Sequence, residues 1–503
     1  MTGIVGLFQE FVNLMDPAIL LVLFSATLLG VIIGALPGLS ATMGIALLTG
    51  LTYKFPIEYT FAILMGVYVG AIYGGSMSAI LLNIPGTASA AATALEGNPL
   101  AKKGMAETAI KVTRAASIVG TFIGVVALAT IAPPLAKVAL MFTSPEYFML
   151  ALFGVLICGS IVTMDIPLKG WIGGVIGLLI AMIGMDKIDG ASRFDFGLVE
   201  LMGGISMVPA MIGFYAIPEV IKAFAKSSDD IEIGKAKDVV KQNIPIWGTV
   251  FKNIRLVVQS ALIGLGIGSL PGVGEDVAAW VGYDAAKKTS KHPEKFGTGS
   301  LEGAIAPEVS NNSAIGGAMI PMLTLAVPGS PPAAVLLGAL MIHNVRPGPM
   351  IMRDNPGFIN YIAALLFLAV LALWIAGILL AKPMSMILKV PTVYLMPIVS
   401  VLSIVGAFAI SNNPFDIIIA LVFGVLGYLL DKMKYSPAPI VLGIILGPMI
   451  DENFRRALMV SKGDPSIFFT QPISLFFFVI ICLTIFKNLS SSSKKSKKIN
   501  LSE

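Results

Sequence analysis

The feature that most constrains this chain is a series of apolar runs almost free of charge. Pro17 to Leu36, Val119 to Leu140, Tyr147 to Val162, Tyr361 to Ala381, Val390 to Ile410, Asp416 to Leu430 and Ile467 to Ile485 are such runs. As helices rising about 1.5 Å per residue, each crosses, or nearly crosses, a hydrocarbon layer of ~30 Å. A water-soluble fold of 503 residues would need more polar surface than this sequence holds. Hydrophobic residues make up 56% of it and charged residues 13%, where soluble domains carry roughly a quarter charged. The expected fold class is an all-α polytopic membrane protein with the lipid bilayer as its solvent.

Other features narrow the field. Met1 to Pro17 has no basic segment or cleavage site of a signal peptide and is expected to be retained, as an interfacial helix. The terminal stretch holds Lys487, Lys494, Lys495, Lys497 and Lys498 among serines, and positive-inside bias places it in the cytoplasm. Cys158 and Cys482 sit in apolar runs and read as packing residues. His292 and His343 are too few and too distant for a metal site. The net charge of +5 reflects these lysines and does not imply nucleic acid. No P-loop, zinc-helix motif or dinucleotide fingerprint is present. Gly272-Val-Gly-Glu-Asp276 and Tyr283-Asp284 superficially resemble intramembrane aspartyl protease motifs. Their order is reversed, they share one short segment, and Glu follows the second Gly, so the chain is expected not to be an enzyme.

The sequence also contains itself twice. Leu29 to Gly38 aligns without gaps to Ile263 to Gly272, sharing G-x-x-I-G-x-L-P-G. Ala71-Ile72 and Ile84-Pro-Gly-Thr87 match Ala314-Ile315 and Val327-Pro-Gly-Ser330, with Gly pairs 74–75 and 316–317 between the matched pieces. Pro37 and Pro271 are 234 residues apart, Pro85 and Pro328 243 apart. Order and spacing are thus kept across half the chain, which points to internal duplication. The expected division is a first transmembrane repeat over 1–225, a polar linker over 226–250, a second repeat over 251–486 and a basic tail over 487–503.

Each Pro-Gly is expected to break a helix inside the membrane, because Pro removes a backbone donor and Gly tolerates the resulting dihedrals. Broken backbone survives at membrane depth only against protein or a water-filled cavity. Breaks at matching places in two repeats are the sequence signature of a secondary transporter, with its site at the repeat interface. The candidate substrate- and ion-binding residues lie beside the breaks: Pro37, Gly38 and Ser40; Asn83, Pro85, Gly86 and Thr87; Pro271, Gly272 and Gly274; Pro328, Gly329 and Ser330. A half-helix starting after each break would aim free N–H groups at a carboxylate. Freed carbonyls with Ser, Thr and Asn oxygens would suit a sodium ion. Asn311 and Asn312 join the set, as does Glu308, which either accepts a proton, helps hold a cation, or caps a helix starting after Pro307. Glu275 and Asp276 read as helix caps. For single serines, close helix packing is the simpler explanation.

Several blocks together resemble one known family. They are Gly34-Ala-Leu-Pro-Gly-Leu-Ser, Tyr73-Gly-Gly-Ser-Met-Ser-Ala-Ile-Leu-Leu-Asn-Ile-Pro-Gly-Thr, Glu96-Gly-Asn-Pro-Leu-Ala-Lys-Lys-Gly104, and Glu302-Gly-Ala-Ile-Ala-Pro-Glu-Val-Ser-Asn-Asn-Ser running on to Val327-Pro-Gly-Ser. The chain resembles the large membrane subunit of tripartite tricarboxylate transporters, the TctA-type proteins, over nearly its whole length. The resemblance implies a secondary carrier of small carboxylates in a bacterial cytoplasmic membrane, driven by a Na+ or H+ gradient. It implies a small TctB-type membrane subunit and a TctC-type extracytoplasmic solute-binding protein as partners, and no cofactor. Glu96-Gly97 stands where the family pattern has Asp-Gly, and Glu275-Asp276 where it has small residues. The resulting expectation is two repeats, inverted on transporter precedent, forming an elevator-like symporter. The rival readings are a passive channel and a non-transport membrane scaffold.

Overall fold

The computed structural model describes residues 4–499 apart from 164–165, 226–243, 382, 389 and 391. Most of the expected linker and the last residues of the basic tail therefore lie outside the described residues. In chain order the helices are α1 (Ile4–Asn13), α2 (Pro17–Ala35), α3 (Ala41–Thr52), α4 (Ile57–Leu82), α5 (Ala90–Lys102), α6 (Ala106–Ala139), α7 (Ser144–Val162), α8 (Pro167–Ala181), α9 (Met207–Tyr215) and α10 (Ile217–Ala225). There follow α11 (Ile246–Lys252), α12 (Ile254–Gly268), α13 (Gly274–Thr289), α14 (Leu301–Leu325), α15 (Pro331–Ile342), α16 (Ile351–Asp354), α17 (Phe358–Leu379), α18 (Met384–Ile387), α19 (Thr392–Ser411), α20 (Pro414–Lys432), α21 (Pro437–Val460), α22 (Ile467–Thr470) and α23 (Pro472–Ile499). A two-residue antiparallel ribbon pairs Gly184 with Arg193 and Met185 with Ser192. Among the described residues eight helices are long and apolar enough to cross a membrane, or up to nine if the bent pair α11–α12 counts as one span. The protein is a multi-pass helical membrane protein.

The runs that stood out in the sequence become α2, α6, α7, α17, α19, α20 and α23. Two central helices, α4 and α14, are not among them. Their interiors carry Ser76, Ser78, Ser310, Asn311, Asn312 and Glu308, and both are buried along nearly their whole length. Helices shielded by protein on every side can carry polar groups that a lipid-facing helix cannot.

Close helix approach is set by glycine. A Cβ at Gly34 would overlap the Ala71 carbonyl, and a Cβ at Gly268 would overlap the Ala314 carbonyl. A Cβ at Gly86 would meet the Gly34 carbonyl, and one at Gly329 the Gly268 carbonyl. The Gly86 amide donates to Gly75 O at 3.4 Å, as the Gly329 amide does to Ala318 O at 3.4 Å. Asn83 ends α4 at φ 57° and Ala326 ends α14 at φ 58°. All ten positions pair up at the two sequence offsets noted above.

The elements also interleave. α2 packs on α4 and α12 on α14, while α6 lies against α14 and α17 against α4. Outside this centre, α21 packs on α7 and α8, and α9 packs on α20. On the lipid side Ile172, Val175 and Leu179 of α8 and Ile418, Val422 and Val425 of α20 remain exposed, as bilayer-facing side chains do.

Candidate functional site

All four Pro-Gly segments interrupt helices. Pro37-Gly38 separates α2 from α3, and Pro85-Gly86 separates α4 from α5. Pro271-Gly272 separates α12 from α13, and Pro328-Gly329 separates α14 from α15. Gly38, Gly272 and Gly274 take positive φ (86°, 68° and 72°), the left-handed backbone that glycine adopts without strain. The two breaks of the second half bond to each other: Gly272 N donates to Pro328 O at 3.0 Å and Gly274 N to Gly329 O at 2.9 Å. Ser40 caps α3 by accepting from Met43 N at 3.2 Å, and Ser330 caps α15 by accepting from Ala333 N at 3.3 Å.

The four segments converge on one cavity of about 410 Å³. Ser40, Ala41 and Thr42 line it from the start of α3, and Thr87 and Ala88 from just before α5. Gly272 and Val273 lead into Glu275, Asp276 and Val277 of α13, and Pro331-Pro332 open α15. Every half-helix thus turns its N-terminal end to the same space, where the aligned peptide dipoles favour anions, although Pro331 and Pro332 carry no N–H and the amides of Met43, Ala90, Gly274 and Ala333 are already bonded within the breaks. Val162, Tyr215 and Ser436 to Ala438 close the opposite wall. A second cavity of about 260 Å³ shares Ser40, Thr87, Tyr215 and Pro437 with the first and also touches Gly38 and Gly86. Glu219, Lys222 and Asp431 line this vestibule, where Lys222 Nζ lies 2.7 Å from Glu219 and 2.9 Å from Asp431.

Two acidic side chains stand on the first turn of α13. Glu275 is buried and accepts a hydrogen bond from the Tyr68 hydroxyl, which also meets Ser330 Oγ at 3.0 Å. Tyr68 therefore ties α4 to the starts of both α13 and α15. Asp276 opens to the cavity and accepts from the Ser89 amide at the start of α5. Both residues stand on the first turn but neither caps it, since the N-cap position is Val273 and no side chain caps α13 there; both line the cavity. Sequence reasoning missed Tyr68 and Tyr215. Tyr68 could have been suspected as a hydroxyl in an apolar stretch, whereas nothing local marks Tyr215, whose buried hydroxyl has no hydrogen-bond partner among the described residues.

The remaining candidates lie elsewhere. Asn83 is exposed and ends α4 in the left-handed region, so it serves the backbone of the break and does not line the cavity. Glu308, Asn311 and Asn312 are wholly buried on α14. α14 runs unbroken from Leu301 through Pro307, which removes the alternative that Glu308 caps a helix starting there. Glu308 Oε1 accepts from Ser76 and from Thr93 Oγ1 at 2.5 Å, and Oε2 from Ser117 Oγ at 2.7 Å. Asn312 donates to Glu308 O at 2.9 Å and to Asn311 Oδ1 at 2.6 Å, and accepts from Thr121 at 3.2 Å. Glu96, the family-pattern departure, is also fully buried. It accepts from Tyr283 at 2.7 Å and from the amides of Gly297, Gly299 and Ser300, the last two at 2.8 and 2.7 Å. It clamps α5 to the turn before α14.

A helical membrane protein whose broken helices meet at one cavity belongs, by its architecture, with proteins that move solutes. The chain is a member of the tripartite tricarboxylate transporter TctA family, whose model matches residues 20–442. The family is a transporter family and not an enzyme family, and this chain is the kind of membrane component such transporters contain. A protein from Agrobacterium vitis, described as an uncharacterized 52.8 kDa protein in the TAR-I ttuC' 3' region, is 37% identical over 492 residues, 97% of each chain. A second from the same organism, described as lying in the TAR-II ttuC' 3' region, is 36% identical over 233 residues, 46% of this chain and 96% of its own length. No solved structure matches.

Proposed function

We propose that the chain is the substrate-translocating subunit of a secondary carrier that imports small carboxylates, coupled to a Na+ or H+ gradient. One observation carries this reading: four half-helix N-termini face a single cavity. Their aligned dipoles suit a carboxylate group. An extracytoplasmic binding protein delivers the substrate, and a small membrane subunit completes the assembly, in keeping with the family.

Two repeats build the carrier. Matched contacts of Gly34 with Ala71 and Gly268 with Ala314, together with the matched left-handed ends at Asn83 and Ala326, support this duplication. The unit holding the breaks moves against the scaffold of α7 to α9 and α19 to α21, which supplies Val162, Tyr215 and Ala438 to the cavity wall. Asp276 adds negative charge to the site and limits how many charges a substrate brings.

The test is uptake into proteoliposomes holding the chain and its small partner, with and without binding protein, under imposed Na+ or H+ gradients. The panel is labelled citrate, a C4-dicarboxylate and an aromatic acid. Gradient-driven accumulation of one member that requires the binding protein is the expected result. Equilibration without accumulation for every member would turn the reading to a passive channel.

A further inference from the structure

Glu308 is wholly buried on α14 against the candidate spans α4 and α6, with no cation in ion-pair distance among the described residues. A lone buried carboxylate among membrane-spanning helices is costly unless a partner or a proton neutralises it. Its partners are three hydroxyl groups, and they come from three helices: Ser76 on α4, Thr93 on α5 and Ser117 on α6. Two of these helices, α4 and α5, are the arms of the second break. Ser76 follows Gly75, whose carbonyl accepts from Gly86 N, and Thr87 of the same break lines the cavity. One carboxylate thus grips both arms of a segment that forms the substrate site, without itself touching the cavity.

The elements around Glu308 bring few other ionisable groups. α4 contributes Tyr73, whose hydroxyl lies 3.5 Å from Ile110 O, and α6 contributes Arg114, beside Gly377 and Tyr73. α5 contributes Glu96 and α13 contributes Tyr283, and these two bond to each other. α12 carries only the exposed Arg255 at its start, and α15 has no ionisable side chain.

Resting on the carboxylate-carrier reading, we propose that Glu308 is the coupling-proton site, separate from the substrate cavity and linked to it through the second break. A hydroxyl is both donor and acceptor, so the cluster suits either charge state. Ionised Glu308 accepts three O–H bonds. When a proton binds, one carboxyl oxygen becomes a donor, the hydroxyl facing it turns to accept, and that arm's grip changes. The oxygens already stand at hydrogen-bond separations of 2.5 and 2.7 Å, which leaves no space between them for a metal ion but suffices for a proton.

Glu308→Gln in the full reconstituted assembly is the test, read two ways. The amide imitates the protonated acid. With the panel member that the wild type accumulates, the variant is expected to retain substrate exchange within about twofold. It loses the roughly tenfold accumulation that one pH unit drives through a one-proton carrier. Accumulation by the variant equal to wild type, or wild-type accumulation that follows sodium and ignores the pH gradient, overturns the proposal. The second readout needs no substrate: infrared titration of the purified wild-type protein. A protonated-carboxyl band that rises on acidification, vanishes in Glu308→Gln and shifts in Glu308→Asp is expected. Absence of any such band overturns the proposal even where Glu308→Gln inserts poorly. Wild-type vesicles that neither accumulate nor exchange any panel member would count against the carrier reading, and the infrared result would still decide the fate of Glu308.

Discussion

Glu96 and Glu308 are both fully buried glutamates within one transporter core, yet their surroundings differ in kind. Glu96 is held by the backbone amides of Gly297, Gly299 and Ser300 and by Tyr283. Glu308 is held by Ser76, Thr93 and Ser117. A backbone amide can only donate, so three of the four bonds that hold Glu96 are fixed in direction and clamp α5 to the turn before α14. A hydroxyl can reverse, so the Glu308 cradle tolerates two charge states. The same residue type is therefore held mainly by one-way amide donors in one place and wholly by reversible hydroxyls in the other. The chemistry of the donors, and not burial, separates them.

The largest effect that would sharpen this contrast is on stability. Glu96→Ala strands three amides and a tyrosine hydroxyl and is expected to cost about 3–5 kcal/mol, whereas Glu308→Gln, with hydroxyls that can turn, is expected to cost less than about 1 kcal/mol. Thermal unfolding in detergent compares the two, and equal losses would break the distinction. Gly34→Ala pushes a methyl group into the Ala71 carbonyl and is expected to cost about 1–3 kcal/mol in the same assay. Tyr68→Phe removes the hydroxyl that joins Glu275 to Ser330, and about 1.4 kcal/mol of lost positioning corresponds to a tenfold rise in KM for uptake with little change in folding. Asp276→Asn removes a cavity charge and is expected to improve uptake of tricarboxylates relative to dicarboxylates by several-fold, measured by competition. The smallest effect falls on the exposed vestibule pair. Asp431→Asn is expected to change stability by less than about 1 kcal/mol, because Lys222 keeps Glu219 and both groups meet water.

Much of this architecture was legible in the sequence for a physical reason. Spans that face lipid must be apolar, so α2, α6, α7, α17, α19, α20 and α23 announced themselves. Pro-Gly dictates local backbone, so the four breaks were legible too. α4 and α14 were harder because protein surrounds them and frees them from the apolar rule. Asn83 drew attention as a side chain near a break, yet its matched position is Ala326, where no amide exists. What the two share is a left-handed backbone. The grouping around Glu308 could not be read locally, since its donors lie 232, 215 and 191 residues away in sequence. Tyr68 and Glu275, 207 residues apart, illustrate the same limit.

The proposed substrate site is one cavity that residues beside all four breaks line. Substrate protection of introduced cysteines tests this most directly. Thr42→Cys and Val277→Cys, in a chain with Cys158 and Cys482 replaced by alanine, put thiols on opposite half-helices of the wall. Reaction with a small water-soluble thiol reagent at both positions, slowed at both by the transported carboxylate, is the predicted result. Substrate binding that leaves both labelling rates unchanged would contradict it.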